Sequence, residues 1–226
     1  MTRKQACIGA LVIGQAPRPD LVRPLQANYP EAEIITAGAL DGLSAVDIPA
    51  HQGDYPLSTR LRSGKQVMVE ESFLIGRLQH TIKRLEQQEP NVMILLCAGT
   101  FAALTSNRPL LKPFDIGKDR FSQAAWERIG FITPIAEQIP PITARWANAG
   151  FHPTVWSDSL AHQNQAFYDK INQHIQTHQL QALALDYVGH PVTQVNQLRQ
   201  ASPIPVVDLG QEAINALSPY LFPATR

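Results

Sequence analysis

The stretch that decides the fold is Val92-Met-Ile-Leu-Leu-Cys97-Ala-Gly-Thr100-Phe. Five apolar residues in a row are typical of a parallel strand buried on both faces, which needs helices on both sides of its sheet. Open α/β sheets bind ligands outside the carboxyl ends of their strands. The sequence therefore predicts an α/β fold in which Cys97 stands at a strand end, where chemistry can take place.

Composition and charge narrow the class of protein. The 226 residues are 44% hydrophobic, which is enough for a well-buried core. Lys plus Arg and Asp plus Glu balance at 19 each, so we expect no nucleic acid and no membrane surface as a partner. The two cysteines, Cys7 and Cys97, form no disulfide framework, and no apolar run is long enough to span a bilayer. With no cleavage site after residues 1–5, these features predict a cytoplasmic protein.

Working outward, the hydrophobic pattern predicts alternating strands and helices. Period-two alternation about Ser63-Gly64, over residues 57–69, predicts an inserted β-hairpin. The proline and glycine pattern of residues 108–117 predicts a connection and a subdomain boundary. Strands are predicted at residues 7–13, 33–36, 92–97, 128–133, 154–156, 182–186 and 204–208, and helices at 19–28, 72–88, 138–149, 164–178, 192–200 and 211–221.

The predicted elements tell the same story twice. Each half has a strand, a helix, a second strand, another helix, and an apolar strand that ends in a polar side chain before a glycine. That ending is Cys97-Ala-Gly99 in the first half and Tyr187-Val-Gly189 in the second. Such a pseudo-repeat predicts that both strand ends lie beside one cleft between the halves, with Cys97 and Tyr187 facing each other.

Several motifs, in order along nearly the whole chain, resemble those of the AroM family, which is itself similar to the aspartate/glutamate/hydantoin racemase superfamily. The motifs that carry the resemblance are Ile13-Gly-Gln-Ala-Pro-Arg18, Gly38-Ala-Leu-Asp-Gly-Leu43, Thr59-Arg-Leu-Arg62 with Gly64, Leu96-Cys-Ala-Gly99 with Phe101, Gln138 with Trp146, and Leu185-Asp-Tyr-Val-Gly189.

The resemblance implies two pseudo-symmetric, Rossmann-like, three-layer αβα halves with a parallel sheet each. Residues 1–116 would form the first half, with the hairpin insertion and with the C-terminal helix 209–226 completing it, and residues 117–208 the second. It also implies catalysis without a cofactor or metal, by two opposed cysteines at the two strand ends. Tyr187 departs from that pattern, because a phenol near pKa ~10 is a poorer base than a thiol near ~8.5. A symmetric two-thiol racemase is therefore not expected.

The residues themselves suggest roles at each strand end. Cys97 could act as a nucleophile or general base, or it could simply fill apolar space. Gly99 and Thr100, in a predicted strand-to-helix turn, could hold a carboxylate or serve only as an ordinary turn. Tyr187 could donate a proton or a hydrogen bond to an enolate, or it could fill the space of a missing cysteine.

Two further loops carry candidate binding residues. Gly189 and His190 could form an anion-holding turn, although His190 could also be a solvent-facing turn residue. In the loop that begins at Gly14, Arg18 could clamp a substrate carboxylate with help from Gln15, or it could form a surface salt bridge. That loop has neither a dinucleotide fingerprint nor a phosphate-loop Lys-Ser/Thr, so NAD and ATP are not expected.

The remaining charged residues near the predicted cleft could have either functional or purely structural roles. Arg60 and Arg62 could cover the cleft as an anion-attracting flap, or they could be a solvated strand edge. Asp41 and Asp186 lie near turns or strand ends without a His/Cys/Asp cluster, so no metal is expected, and Asp186 is expected to cap or brace its neighbouring loop.

Together these features predict a cofactor-independent isomerase or lyase that acts on a small carboxylate with the single thiol of Cys97. The alternative is a non-catalytic protein that binds or senses a small carboxylate and has lost the second cysteine. A homodimer is a possible assembly for either.

Overall fold

The computed structural model describes residues 5–51 and 56–222. The strands are β1 (Cys7–Val12), β2 (Glu33–Gly38), β3 (Pro56–Arg60), β4 (Gln66–Glu70), β5 (Val92–Leu95), β6 (Leu110–Leu111), β7 (Arg128–Thr133), β8 (His152–Ser157), β9 (Ala182–Leu185) and β10 (Val206–Asp208). The α-helices are α1 (Pro19–Asn28), α2 (Glu71–Glu86), α3 (Pro113–Gln123), α4 (Ile139–Asn148), α5 (Gln165–His178), α6 (Val192–Ala201), α7 (Leu209–Asn215) and α8 (Ser218–Leu221). Short 3-10 turns span Ala45–Asp47, Ala136–Gln138 and Leu160–His162. The predictions for residues 1–4, and for the end of the predicted helix at 223–226, lie outside the described residues.

The first sheet has the strand order β2-β1-β5-β6, and every pairing in it is parallel. Ile8 of β1 is in register with Ile34 of β2 and with Val92 of β5. Every residue of β1 and β5 is buried, so both faces of this sheet are covered. The apolar run before Cys97 is therefore the central parallel strand that the sequence predicts.

The second sheet repeats the first. Its order is β8-β7-β9-β10, again with all pairings parallel. In each sheet the strand that comes first in the chain, β1 or β7, lies between the next two strands of that sheet, and the last strand, β6 or β10, forms an edge. Helices flank both sheets, which confirms the predicted α/β fold with a parallel sheet in each half.

The contacts group the chain into two compact units. The first comprises the described residues up to Pro113 together with those from Ala213, and the second is Phe114–Glu212. Each unit has its own apolar core. Leu74, Leu78, Ile82 and Leu85 of α2 lie fully or nearly fully buried at helical spacing in the first. None of the described helices is both long and apolar enough to cross a bilayer.

The predicted β-hairpin is present as β3 and β4, with Arg60 opposite Gln66 in an antiparallel pairing. The Leu61 N–H donates to the Lys65 carbonyl at 2.9 Å and closes the turn. Gly64 adopts a φ of +86°, a conformation that glycine reaches without strain. The hairpin prediction is confirmed, and its register follows from this turn.

Two predictions about elements are wrong. Residues 108–117 are not a mere connection, because they contain β6 and the start of α3. Pro113 is the first residue of α3, where its missing N–H costs nothing, and a Cβ on Gly117 would collide with Leu209. The proline and the glycine thus serve a helix rather than a loop. The predicted last helix is two helices, α7 and α8, with a break at residues 216–217.

Candidate functional site

Cys97 stands just beyond the carboxyl end of β5, as predicted. The Leu96 N–H still donates to the Leu11 carbonyl at 2.8 Å, so the sheet pairing ends one residue before the thiol. Cys97 is half-buried, and it packs against the apolar core of the first unit. The position suits both a reactive group at a strand end and a small apolar filler.

The turn after Cys97 differs from the prediction, because no helix begins there. Residues 98–109 form a loop that leads to β6. Phe101 is fully buried with a φ of +42°, and its ring folds back so closely that a Cβ on Gly99 would lie 2.6 Å from Phe101 Cε2. Gly99 and half-buried Thr100 therefore belong to a tightly folded turn, and helix N-terminal N–H groups do not contribute to it.

Side chains that the sequence reasoning missed hold this loop. The Lys112 ammonium lies 3.4 Å from the Thr100 carbonyl and 3.5 Å from the Phe101 carbonyl. Gln79 of α2 donates to the Thr105 carbonyl at 2.8 Å and accepts from its N–H at 2.9 Å. Further along α2, the Glu86 carboxylate accepts from the Asn107 N–H at 2.5 Å. The two-residue strand β6, which presents Lys112, is too short for a periodicity signal.

Gln15, a predicted substrate-binding residue, uses its amide group within the first unit. Its Nε2 donates to the carbonyls of Leu40 and Leu43 at 3.0 and 2.6 Å. Its Oε1 accepts from the Arg62 N–H at 2.7 Å. A substrate would have to displace one of these bonds, so the geometry favours a structural role for this amide.

Arg18 already clamps a carboxylate, that of Asp20. Its Nε and one terminal nitrogen donate to the two Asp20 oxygens at 2.9 and 2.6 Å. The hydrogen bond from Arg18 is the main cause that lowers the pKa of Asp20. The Arg18 residue is 8% exposed, so this is a half-buried bidentate pair rather than a surface salt bridge.

The loop from Gly14 is braced by the hairpin and by Asp41. The Arg62 guanidinium donates twice to the Ala16 carbonyl, at 3.0 and 2.7 Å. Asp41 accepts from the N–H groups of Ala16 and Gly38, both at 2.8 Å. Arg62 is thus neither a flap nor a free strand edge, and Asp41 shapes a turn.

A Cβ would not fit at the two glycines of this brace. At Gly14 it would lie 2.5 Å from the Arg60 carbonyl, and at Gly38 it would lie 2.7 Å from the Ala16 nitrogen. The backbones of three segments therefore meet closely at this point. The role of Gly14 that the structure supports is this close approach, and its role in substrate binding stays a prediction.

In the second unit, Tyr187 follows the end of β9 and is half-buried. Its ring meets the His190 ring edge-on, with centroids 5.5 Å apart, and Gly189 between them has a φ of +103°. His190 Nε2 is buried and has no hydrogen-bond partner among the described residues, and burial lowers the pKa of His190 to about 4. The expectation of a solvent-facing His190 is therefore wrong, and the imidazole is neutral at pH 7.

Buried carboxyl groups stand at two strand ends of the second unit. Asp186 accepts from the Arg145 guanidinium and, at 2.9 Å, from Trp146 Nε1, both on α4. Asp208, at the end of β10, accepts from the Gln211 N–H at 3.1 Å, and burial raises its pKa to about 6. The bracing role predicted for Asp186 agrees with these contacts. The sequence reasoning missed Asp208, although its position after an apolar strand is the same signal that singled out Cys97.

The described residues contain no group of three or more His, Cys, Asp or Glu side chains placed to hold a metal ion.

Ser157 and Thr133, at the ends of β8 and β7, complete the strand ends of the second unit, and Thr133 donates to Gln138 Oε1 at 3.2 Å. The chemistry offered is thus a thiol and an ammonium in one unit, and a phenol, a neutral imidazole and two carboxyls in the other.

Comparisons with known proteins fit this architecture. Unliganded arylmalonate decarboxylase is 14% identical with a TM-score of 0.65, covering 98% of this chain and 94% of that one. An aspartate racemase homologue from Pyrococcus horikoshii is 12% identical with a TM-score of 0.64, covering 93% and 96%. Maleate isomerase from Pseudomonas putida is 11% identical with a TM-score of 0.60, covering 94% and 91%. At these identities the likeness shows a shared fold.

Sequence comparison gives the family. No protein with a curated description matches the chain by sequence. The family model described as AroM protein matches residues 8–218, which is nearly the whole chain. The chain therefore belongs to the AroM family and has a racemase-like fold.

Proposed function

We propose that this AroM-family protein is a cofactor-independent isomerase or lyase that acts on a small carboxylate, with Cys97 as its catalytic thiol. The observation that carries the proposal is the position of Cys97 at the carboxyl end of a central buried strand, before a turn that Phe101 and Gly99 hold tightly folded. Arylmalonate decarboxylase and maleate isomerase, which share the fold, bear names of these two reaction classes.

A lyase reaction needs a single proton donor at carbon. When a malonate-like substrate loses CO2, the electron pair of the broken C–C bond stays on the remaining carbon as an enolate. The Cys97 thiol gives its proton to that carbon, and the resulting thiolate takes a proton from water. One thiol suffices, and the product is protonated from one side.

An isomerase reaction uses the same sulfur as a nucleophile. The Cys97 thiolate adds to a carbon–carbon double bond next to a carboxylate, which forms a C–S bond and an enolate. Rotation about the former double bond and return of the electron pair then break the C–S bond and release the isomer. The thiolate is regenerated, and no cofactor is consumed.

The proposal assigns Tyr187 the role of hydrogen-bond or proton donor to the enolate. A phenol near pKa ~10 is a better acid than base at neutral pH, which suits a stabiliser of negative charge. Gly99, Thr100, Gly189 and His190 are proposed to contact the substrate, whereas Gln15 and Arg18 have competing internal bonds.

The test is product formation from a panel of small dicarboxylates, amino acids and hydantoins by wild type, Cys97→Ser and the control Cys7→Ala. Cys7 is the buried first residue of β1, at the opposite end of the strand from the candidate site, and should have no chemical role. We expect Cys97→Ser to lose about 100-fold or more of the turnover and Cys7→Ala to keep it. Equal turnover by wild type and Cys97→Ser would remove Cys97 from the mechanism.

A second candidate is a non-catalytic protein that binds or senses a small carboxylate. Tyr187 at the position of the second cysteine, with its ring against His190, favours this candidate. The two candidates predict different reactivity of the Cys97 thiol. A catalytic Cys97 reacts with iodoacetamide well below pH ~8.5 and is protected by ligand, whereas a Cys97 without a catalytic role reacts as an ordinary thiol. A thermal-shift screen finds the ligand in either case, because binding stabilises the native state.

A further inference from the structure

The turn after β9 carries two polar rings that have no hydrogen-bond partner among the described residues. Tyr187 and His190 meet edge-on with ring centroids 5.5 Å apart, and neither the Tyr187 hydroxyl nor a nitrogen of His190 is bonded to a described group. The two nitrogens of His190 differ in burial, because Nε2 is buried whereas Nδ1 reaches the surface. His190 thus has one nitrogen that a ligand can reach and one that it cannot.

The burial of Nε2 indicates where the imidazole carries its proton. Burial lowers the pKa of His190 to about 4, so at pH 7 the ring is neutral and has one N–H and one bare nitrogen. A buried N–H without an acceptor is rarer in proteins than a buried acceptor without a donor. The face of the Tyr187 ring would accept an Nε2–H only weakly. The proton therefore belongs on Nδ1.

We propose that His190 is a neutral hydrogen-bond donor that binds the substrate carboxylate through Nδ1–H, with its bare Nε2 facing the protein. This inference rests on the proposed function in taking the substrate to be a carboxylate. It adds the atom that makes the contact and the form of the ring that can make it. At pH 7 such a donor keeps its proton, so His190 holds the substrate and takes no part in proton transfer.

The first experiment determines which nitrogen carries the proton. NMR of the ring nitrogens distinguishes a protonated from a bare nitrogen by chemical shift, and their couplings to the carbon-bound ring protons distinguish Nδ1 from Nε2. Wild-type protein with isotope-labelled histidine is measured at pH 7, and His190→Asn assigns the signals. We expect the proton of His190 on Nδ1. A proton on Nε2 would overturn the inference, and the measurement on wild type does not depend on the folding of a variant.

The second experiment tests the contact with a carboxylate. Acetate, malonate and succinate are titrated separately into the labelled wild-type protein, and His152, an exposed histidine of β8, is the internal control. We expect at least one acid to shift the Nδ1–H signal of His190 and to leave the signals of His152 in place. If none of the three acids shifts the His190 signal, the contact is overturned.

Two variants separate the roles of the two nitrogens, because the side-chain amide of Asn lies near the place of Nδ1 and that of Gln near the place of Nε2. For the acid that shifts the signal, the dissociation constant should rise by less than about 3-fold in His190→Asn and by about 10-fold or more in His190→Gln. Thermal-shift titration measures it, with His152→Asn as a control that should change nothing. Weaker binding by His190→Asn than by His190→Gln would contradict the assignment to Nδ1.

The outcome is separable from that of the proposed function. If His190 responds as expected while Cys97→Ser keeps full turnover, His190 binds carboxylates and the catalytic role of Cys97 fails. If Cys97→Ser abolishes turnover while no acid shifts the His190 signal, the catalytic role stands and another group holds the carboxylate.

Discussion

The two strand ends, after β5 and after β9, occupy the same place in two sheets of the same order, yet they are built from opposite chemistry. The turn after β5 carries a thiol and is held by an ammonium and by backbone contacts. The turn after β9 begins at the buried carboxylate of Asp186, which Trp146 holds, and it carries a phenol and a neutral imidazole. The repeat thus fixes where functional groups stand in each sheet and leaves their chemistry free to diverge.

The largest expected difference between the units concerns their ion pairs. Asp186→Asn, in the second unit, removes a carboxylate whose side chain is 0% exposed and leaves the Arg145 guanidinium beside a neutral amide. Breaking such a buried pair costs about 3–5 kcal/mol of unfolding free energy. Asp20→Asn, in the first unit, removes a partner that is 47% exposed and should cost about 1 kcal/mol. Urea unfolding at pH 7 measures both, and equal losses would contradict the contrast.

Asp208 should make the protein less stable as the pH rises. Its pKa is about 6 in the folded state against 3.8 unfolded, so between these values the folded state holds a proton that the unfolded state has lost. The free energy of unfolding that Asp208 contributes is fully present below pH 3.8. It is lost as the pH rises from 3.8 through about 6, by about 3 kcal/mol in total. Asp208→Asn keeps an acceptor for the Gln211 N–H and should remove this loss. Urea unfolding from pH 4 to 7 measures this effect. If the unfolding free energies of wild type and Asp208→Asn change equally with pH, the assignment to Asp208 is contradicted.

His190 should act in the opposite direction. The pKa of His190 is about 4 in the folded state against 6.5 in the unfolded state, so between these pH values the unfolded state binds a proton that the folded state does not bind. Stability is therefore lost as the pH falls from 6.5 to 4, again by about 3 kcal/mol. His190→Gln should flatten this slope and unmask the Asp208 contribution, whereas Asp208→Asn unmasks that of His190. If one of these variants has the same pH dependence of unfolding free energy as wild type, the residue changed in that variant does not contribute to it.

The smallest expected effect lies in the brace of the Cys97 loop. Gln79→Leu removes three hydrogen bonds to Thr105, which lie in an exposed part of the loop, so unfolding free energy should fall by only about 1 kcal/mol. Gln66→Leu, which removes one exposed bond to Ser58 in the hairpin, is the matched control. Chemical denaturation measures both, and a loss of several kcal/mol for Gln79→Leu would mean that the loop is part of the core.

The sequence predicted the features that depend on long periodic patterns. The buried strands, the amphipathic α2, the hairpin turn at Gly64 and the position of Cys97 all rest on apolar spacing or on turn chemistry, and the structure agrees with them. The two-residue β6 and the helix α3, which begins with a proline, give no such signal and were missed.

The site was harder to predict, because partners distant in the chain decide what a polar residue does. Gln15 and Arg18 look available in sequence, and only the fold reveals the Leu40 carbonyl and the bidentate geometry to Asp20 that engage them. The buried Nε2 of His190 depends in the same way on neighbours that spacing does not encode.

The central claim is that the Cys97 thiol moves a proton or an electron pair at substrate carbon. The most direct measurement is product formation in D2O, with the deuterium content of the product read by mass spectrometry, for wild type, Cys97→Ser and Tyr187→Phe with a substrate from the carboxylate panel. The account predicts that wild type forms product in D2O, with one deuterium at that carbon if the reaction is the lyase reaction and none if it is the nucleophilic isomerisation, and that product formation falls by about 100-fold or more in Cys97→Ser and by less in Tyr187→Phe. Equal product formation by wild type and Cys97→Ser would contradict it.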